Sequence, residues 1–111
     1  MKRNIHEILR VDKEINVLNT QVKPSDTLVL ILKLTEKGKF LDLSNETMSL
    51  DVKKMWKKTF SQSSNIVFSN NQVVIEVDSN CIDTVGKTEF TLNLLTSNKV
   101  CKFCLFVCKE N

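Results

Sequence analysis

Glycine is scarce: Gly38 and Gly86 are the only two in 111 residues. That excludes a glycine-rich phosphate loop, and neither a GxSxG elbow nor an HExxH helix is present. Histidine occurs once, as His6, beside Glu7. Sequence neighbours do not make a rigidly held acid–base pair, so His6 reads as an ordinary surface residue near a terminus. Long apolar runs are also missing. The longest, "LVLILKL" at 28–34, is interrupted by Lys33 and falls well short of the roughly 18 residues that suggest a membrane span. A soluble chain with no membrane contact is expected. The start, "MKRNIHEILRV", is positive like a signal peptide, but His6, Glu7 and Arg10 break the apolar stretch and no small-residue cleavage site follows. These absences give no support to an enzyme: no catalytic residue, cofactor or metal is assigned.

What is present suits one ordinary domain. Hydrophobic residues make up 41% and charged residues 26%, enough for a single core without an extreme surface field. A formal net charge of +3 is mild; it helps association with an acidic surface but does not mark a dedicated nucleic-acid binder.

The dominant pattern has period two. Met48, Leu50 and Val52 alternate with Ser49, Asp51 and Lys53; Val73, Ile75 and Val77 alternate with Val74 and Glu76; Phe90, Leu92 and Leu94 alternate with Thr91 and Asn93. Further strands are expected at "EINVLN" (14–19), "DTLVLILKL" (26–34), "NIVFS" (65–69) and "KVCKFCLFVC" (99–108). Turn chemistry separates them at 23–26, 36–39, 61–64, 69–71 and 96–99. About seven short strands without long helical crossovers predict an all-β, antiparallel sandwich or barrel. Two stretches read as helical: "NIHEILRV", with Ile5, Ile8 and Leu9 in register, and "DVKKMWKKTF", with Val52, Met55, Trp56 and Phe60. "SNCIDTVG" (79–86) reads as a single turn capped by Ser79 or Asn80, with Gly86 taking a left-handed angle at its end.

Three of the four cysteines crowd into "CKFCLFVC". In a strand rising about 3.3 Å per residue, Cys101 and Cys104 lie on opposite faces roughly 10 Å apart. Cys104 and Cys108 share a face, but at on the order of 13 Å they exceed the roughly 7 Å reach of a disulfide. A zinc site needs turn-forming spacers and further ligands, here only Cys81 and His6, and would require abandoning the strand. The thiols therefore read as small apolar filler, with a pairing of Cys81 to one of the others left open.

"KKMWKK" (53–58) sets Lys53, Lys54, Lys57 and Lys58 around Trp56. Such a cluster suits phosphate neutralisation with base stacking. A lone aromatic is a poor platform, though, and Asp51 dilutes the field, so the expectation is a solvated loop whose Trp packs into a core edge.

The run "SDTLVLILKLTEKGKFLDLSNETMSLDV", followed by "NNQVVIEVDSNCIDTVGKTEFTLNLLTSNKVCKFCLFV", resembles the amino-terminal domain of phage baseplate upper proteins in the order and spacing of its elements, over about residues 12–109. It departs from that pattern in having Asn45 and Glu46 at a bend where glycine is more usual, "MWKKTF" in place of a glycine-containing hairpin tip, and a cysteine-rich last strand. The resemblance implies an antiparallel immunoglobulin-like β-sandwich, either stand-alone or the amino-terminal part of a longer protein. It also implies a non-enzymatic role in the virion tail baseplate, made in the bacterial host cytoplasm, holding receptor-binding proteins to the tail hub. The expected partners are baseplate or tail proteins, or further copies of the chain, rather than nucleic acid. It assigns no partner-binding residue. The alternative expectation is a small phage-encoded inhibitor or regulator that binds a host protein or nucleic acid.

Overall fold

The computed structural model describes residues 1–110. It is all-β, with ten strands: β1 (Lys2–Arg10), β2 (Asn16–Val22), β3 (Thr27–Glu36), β4 (Lys39–Phe40), β5 (Met48–Lys53), β6 (Thr59–Gln62), β7 (Ile66–Ser69), β8 (Gln72–Glu76), β9 (Gly86–Leu94) and β10 (Lys99–Val107). They form two mixed sheets. The first runs β1-β3-β8-β7, with β4 also paired to β3, and the second runs β2-β10-β9-β5-β6. Among the described residues no helix is long and apolar enough to cross a membrane.

The sheets close in a sandwich-like arrangement on one apolar core, because each period-two strand turns alternate residues inward. Leu28, Leu30, Leu32 and Leu34 come from β3, Val73 and Ile75 from β8, Leu50 and Val52 from β5, and Phe90, Leu92 and Leu94 from β9. Phe90 and Phe103 face each other across the β9–β10 ladder and stack with ring centroids 4.9 Å apart, adding about 1 kcal/mol to the burial of both rings.

The seven expected strands are all present, but the count is ten, and the sheets are not purely antiparallel. β1 pairs in parallel with β3 from Lys2↔Thr27 to Arg10↔Thr35, and β2 pairs in parallel with β10. Parallel neighbours need a crossover, and the expectation of antiparallel order assumed that only a helix supplies one. Here β2, which belongs to the opposite sheet, carries the chain between β1 and β3. "NIHEILRV" is accordingly strand and not helix. Ile5 and Leu9, four apart, share a face in either geometry and are buried, adding to the core ahead of residue 12; Ile8, which only a helix would bring to that face, stands exposed. "DVKKMWKKTF" is likewise a hairpin, with Val52 opposite Phe60 in the β5–β6 ladder. The turn expected at 61–64 begins later, since Ser61 and Gln62 belong to β6.

A sandwich has open seams where its sheets part, and two buried amides close them. At one seam the Asn16 side chain accepts from the Arg10 N–H (2.9 Å) and donates to the carbonyls of Arg10 (3.0 Å) and Lys102 (2.9 Å), joining β1 to β10. At the other, Gln62 donates to the carbonyls of Ser64 (2.9 Å) and Glu76 (2.8 Å) and accepts from the Asp78 N–H (2.9 Å), joining β6 to the end of β8. Both amides replace ladder bonds that no neighbouring strand provides, as buried backbone groups require.

All four cysteines are free thiols. Cys101 faces the core with Phe103, Leu105 and Val107. Cys104 is on the opposite face, where Val17 and Glu89 flank it across the two ladders and cover its small side chain. Burial pushes the thiols of Cys81 and Cys101 up to about 12, with Asp78 adding to the effect at Cys81. At neutral pH neither carries meaningful thiolate, the reactive form. A thiol-reactive disulfide reagent added to native protein at pH 7 is therefore expected to modify the half-buried Cys108 and spare Cys81, Cys101 and Cys104 until denaturant is added. Rapid release of more than one equivalent would contradict this arrangement.

Candidate functional site

The feature that least resembles a packed fold is the tip of the β5–β6 hairpin. The Lys54 N–H donates to the Lys58 carbonyl at 2.7 Å, and the chain then reverses through Met55, Trp56, Lys57 and Lys58, with a long 3.5 Å bond from the Lys58 N–H to the Met55 carbonyl. Trp56 (φ 64°, ψ 27°) and Lys57 (φ 60°) are both left-handed, which is the arrangement of a type I′ hairpin turn. Asn and Gly normally occupy those positions; a bulky residue there is strained.

Trp56 was expected to pack at a core edge. Instead it is 81% exposed, because the turn carries it beyond both faces of the sheet. Nor do the four surrounding lysines act alike. Lys53, Lys57 and Lys58 are exposed, whereas Lys54 is only 8% exposed and turns inward. Its Nζ donates to the Asn80 carbonyl (2.7 Å) and pairs with Asp83 (2.8 Å). The segment it grips is a 3-10 turn, Ser79–Cys81, capped by the Asp78 carboxylate, which accepts from the Asn80 N–H at 2.9 Å. The cap expected of Ser79 or Asn80 thus comes one residue earlier. Gly86 (φ +127°) has the expected positive angle, and its missing side chain makes room for Met55: a Cβ there would lie 2.1 Å from the Met55 Cγ. The tip is braced twice, by Lys54 on Asp83 and by Met55 on Gly86.

The first brace depends on pH. The hydrogen bond from Lys54 holds the Asp83 carboxyl below its ordinary 3.8, with Thr84 and the nearby lysines acting in the same direction. A carboxylate whose value is lowered by folding contributes its stabilisation fully above the ordinary value and loses it as pH falls through the lowered one. The brace should hold at pH 5 and release in strong acid. Emission anisotropy of Trp56, the only tryptophan, is expected to fall across that acid range, and Asp83→Asn should show the looser tip already at neutral pH. An anisotropy that is flat with pH and equal in the two proteins would show that this ion pair does not hold the tip.

Next to the tip, the outer face of the second sheet forms an open groove of about 690 Å³ crossing β6, β5, β9 and β10. Its charges alternate: Lys53, Lys87 and Lys102 are interleaved with Glu14, Asp51 and Glu89. Lys87 reaches the tip from β9 and pairs with Glu89 at 3.7 Å. The sequence reading of "KKMWKK" missed Lys87, Asp83 and Gly86, since their proximity depends on the β5–β9 pairing. His6 lies exposed on the outer face of the first sheet, beside Ile8 and Ile31. Among the described residues no group of three His, Cys, Asp or Glu side chains converges to hold a metal ion.

No family model and no curated protein matches the chain. Among solved structures, the N-terminal domain of phage TP901-1 ORF48 has a similar fold. The TM-score is 0.72 at 14% identity, over 98% of this chain and 100% of that one. At that identity the likeness establishes the fold.

Proposed function

We propose that the chain is a non-catalytic structural module of a phage tail: a single immunoglobulin-like sandwich domain in the baseplate that anchors receptor-binding proteins to the tail hub through protein–protein contacts. The observation that carries this reading is the end-to-end fold likeness to the N-terminal domain of a phage protein, over 98% of this chain and 100% of that one. The order of elements, which resembles that of baseplate upper proteins, points the same way. A module of this kind works by presenting surfaces, either an edge strand with unpaired backbone groups or an exposed side-chain cluster, and needs no cofactor. β1 and β2 stand at the ends of their sheets and offer long edges, while β6 and β7 are short.

A second reading, a phage-encoded regulator that binds a host protein or nucleic acid, is favoured by the exposed Trp56 among Lys53, Lys57 and Lys58. Mass spectrometry and immunogold labelling of purified virions separate the two. The tail reading expects the protein in stoichiometric amount at the tail tip. Its presence in infected cells and absence from virions would overturn that reading in favour of the regulator.

A further inference from the structure

We propose that the β5–β6 tip is a docking knob that inserts the Trp56 indole into an apolar pocket of a partner protein whose rim carries carboxylates. This deepens the reading of a protein-contact module and rests on it. Two separate unfavourable features fall on the same residues. A large aromatic side chain is left in water, and it and Lys57 adopt backbone angles that glycine or asparagine would accept without strain. Neither feature helps the chain to fold, and nearby Met55 packs on Gly86 without needing an aromatic beside it.

The braces give the knob the property that docking needs. With Lys54 locked to Asp83 and Asn80, and Met55 seated on Gly86, the turn is held before a partner arrives, so little further ordering opposes binding. Tryptophan is the residue type that most often dominates such contacts. Charge sets the partner's chemistry. Among the described residues Lys53, Lys57 and Lys58 form no ion pair and Lys87 pairs only with Glu89. Glu89 across from Lys53 and Asp83 near Lys58 offset part of this charge, but cations outnumber carboxylates around the indole, an excess that an acidic rim would satisfy.

Nucleic acid fits less well. A strand leaving the tip would enter the groove, where Glu14, Asp51 and Glu89 repel phosphate. The exposed Phe106 stands across from Lys87 on that face, but the aromatics lining the groove itself are the half-buried Phe60 and the buried Phe90, which offer bases little open ring surface. A lipid surface fits less well too, since one indole and a partly covered Met55 bury little apolar area.

Trp56 is the only tryptophan and tyrosine is absent, so tryptophan emission of the intact chain reads the knob alone. The chain is titrated at physiological salt with three probes: a soluble helical peptide of leucine and glutamate, oligothymidylate, and phosphatidylserine vesicles. The peptide is expected to shift the emission to the blue, with Lys57→Glu plus Lys58→Glu weakening it about tenfold or more, while the other probes leave the emission unchanged. Calorimetry with Trp56→Ala, checked for folding by circular dichroism, should show binding lost. No shift with the peptide, a shift with oligothymidylate or vesicles, or undiminished binding by Trp56→Ala would each overturn the proposal. Absence of the protein from virions would sink the tail reading while leaving this measurement standing.

Discussion

Asn16→Ala is expected to lower the unfolding free energy by about 3 kcal/mol, a large share of what a domain of this size possesses. The substitution removes little apolar contact. What it removes is the three hydrogen bonds by which one amide joins the Arg10 backbone on β1 to the Lys102 carbonyl on β10. Asn16 is only 6% exposed, so water cannot readily take its place. The Arg10 carbonyl keeps the Lys13 N–H at 3.4 Å, but the Arg10 N–H and the Lys102 carbonyl lose their Asn16 partner, at a desolvation penalty of about 1 kcal/mol or more each on top of the lost bonds. Urea unfolding should show a lower midpoint at nearly unchanged slope, because the amount of buried surface is the same in both proteins. Asn16→Asp is predicted to be no better: it keeps the acceptor for the Arg10 N–H but turns an acceptor toward two carbonyls. Gln62→Ala tests the other seam, and the two losses should add, since the amides stand at opposite sides of the sandwich. A loss below about 1 kcal/mol for Asn16→Ala would mean that solvent enters the seam and the amide is dispensable.

Neither amide was legible in the sequence, and the reason is physical. Periodicity reports which residues face inward, and on that count Asn16 and Gln62 look like polar interruptions; Gln62 was read as part of a turn. Their value comes from backbone groups distant in the chain, at Lys102 and Glu76, that only the finished topology brings within reach. The seven strands with clear alternation were readable because a two-residue period survives in any sheet, whatever its neighbours. Strand β1 was misread because a spacing of four satisfies both a helix and a strand, so Ile5 and Leu9 could not discriminate and the exposed Ile8 decided wrongly. The parallel pairings were hidden for a related reason: local pattern gives strand identity, not strand partner.

The tip was half legible. Its composition drew attention to Lys53, Lys54, Trp56, Lys57 and Lys58, and its lack of glycine stood out against the pattern it resembles. The prior that a tryptophan buries itself then pointed the wrong way, and four like lysines concealed that Lys54 is a buried strut. Sorting the strut from the exposed cations took Asp83, in the segment before β9, and Gly86, the first residue of β9, which are about thirty residues on in the chain and reach the tip only through the fold.

Replacing the tip pair with the residues that a type I′ turn prefers, Trp56→Asn with Lys57→Gly, should make the protein more stable by about 1–2 kcal/mol. Asparagine and glycine take left-handed angles with little strain, and removing an 81% exposed indole forfeits almost no packing. The added chain entropy of glycine in the unfolded state subtracts a fraction of the gain without reversing it. For a chain of this length a gain of that size raises Tm by roughly 5–10 °C, readable by scanning calorimetry. The same protein should fail to bind the leucine–glutamate peptide, so that stability and recognition move in opposite directions, as they do where a strained site is kept for contact. Lys57→Gly alone separates the two effects: it relieves one strained angle, keeps the indole, and should gain part of the stability while retaining most of the binding. If the double variant melts at or below the temperature of the parent, the left-handed Trp56 and Lys57 are held by favourable local contacts. The strain at the tip would then no longer argue for a partner.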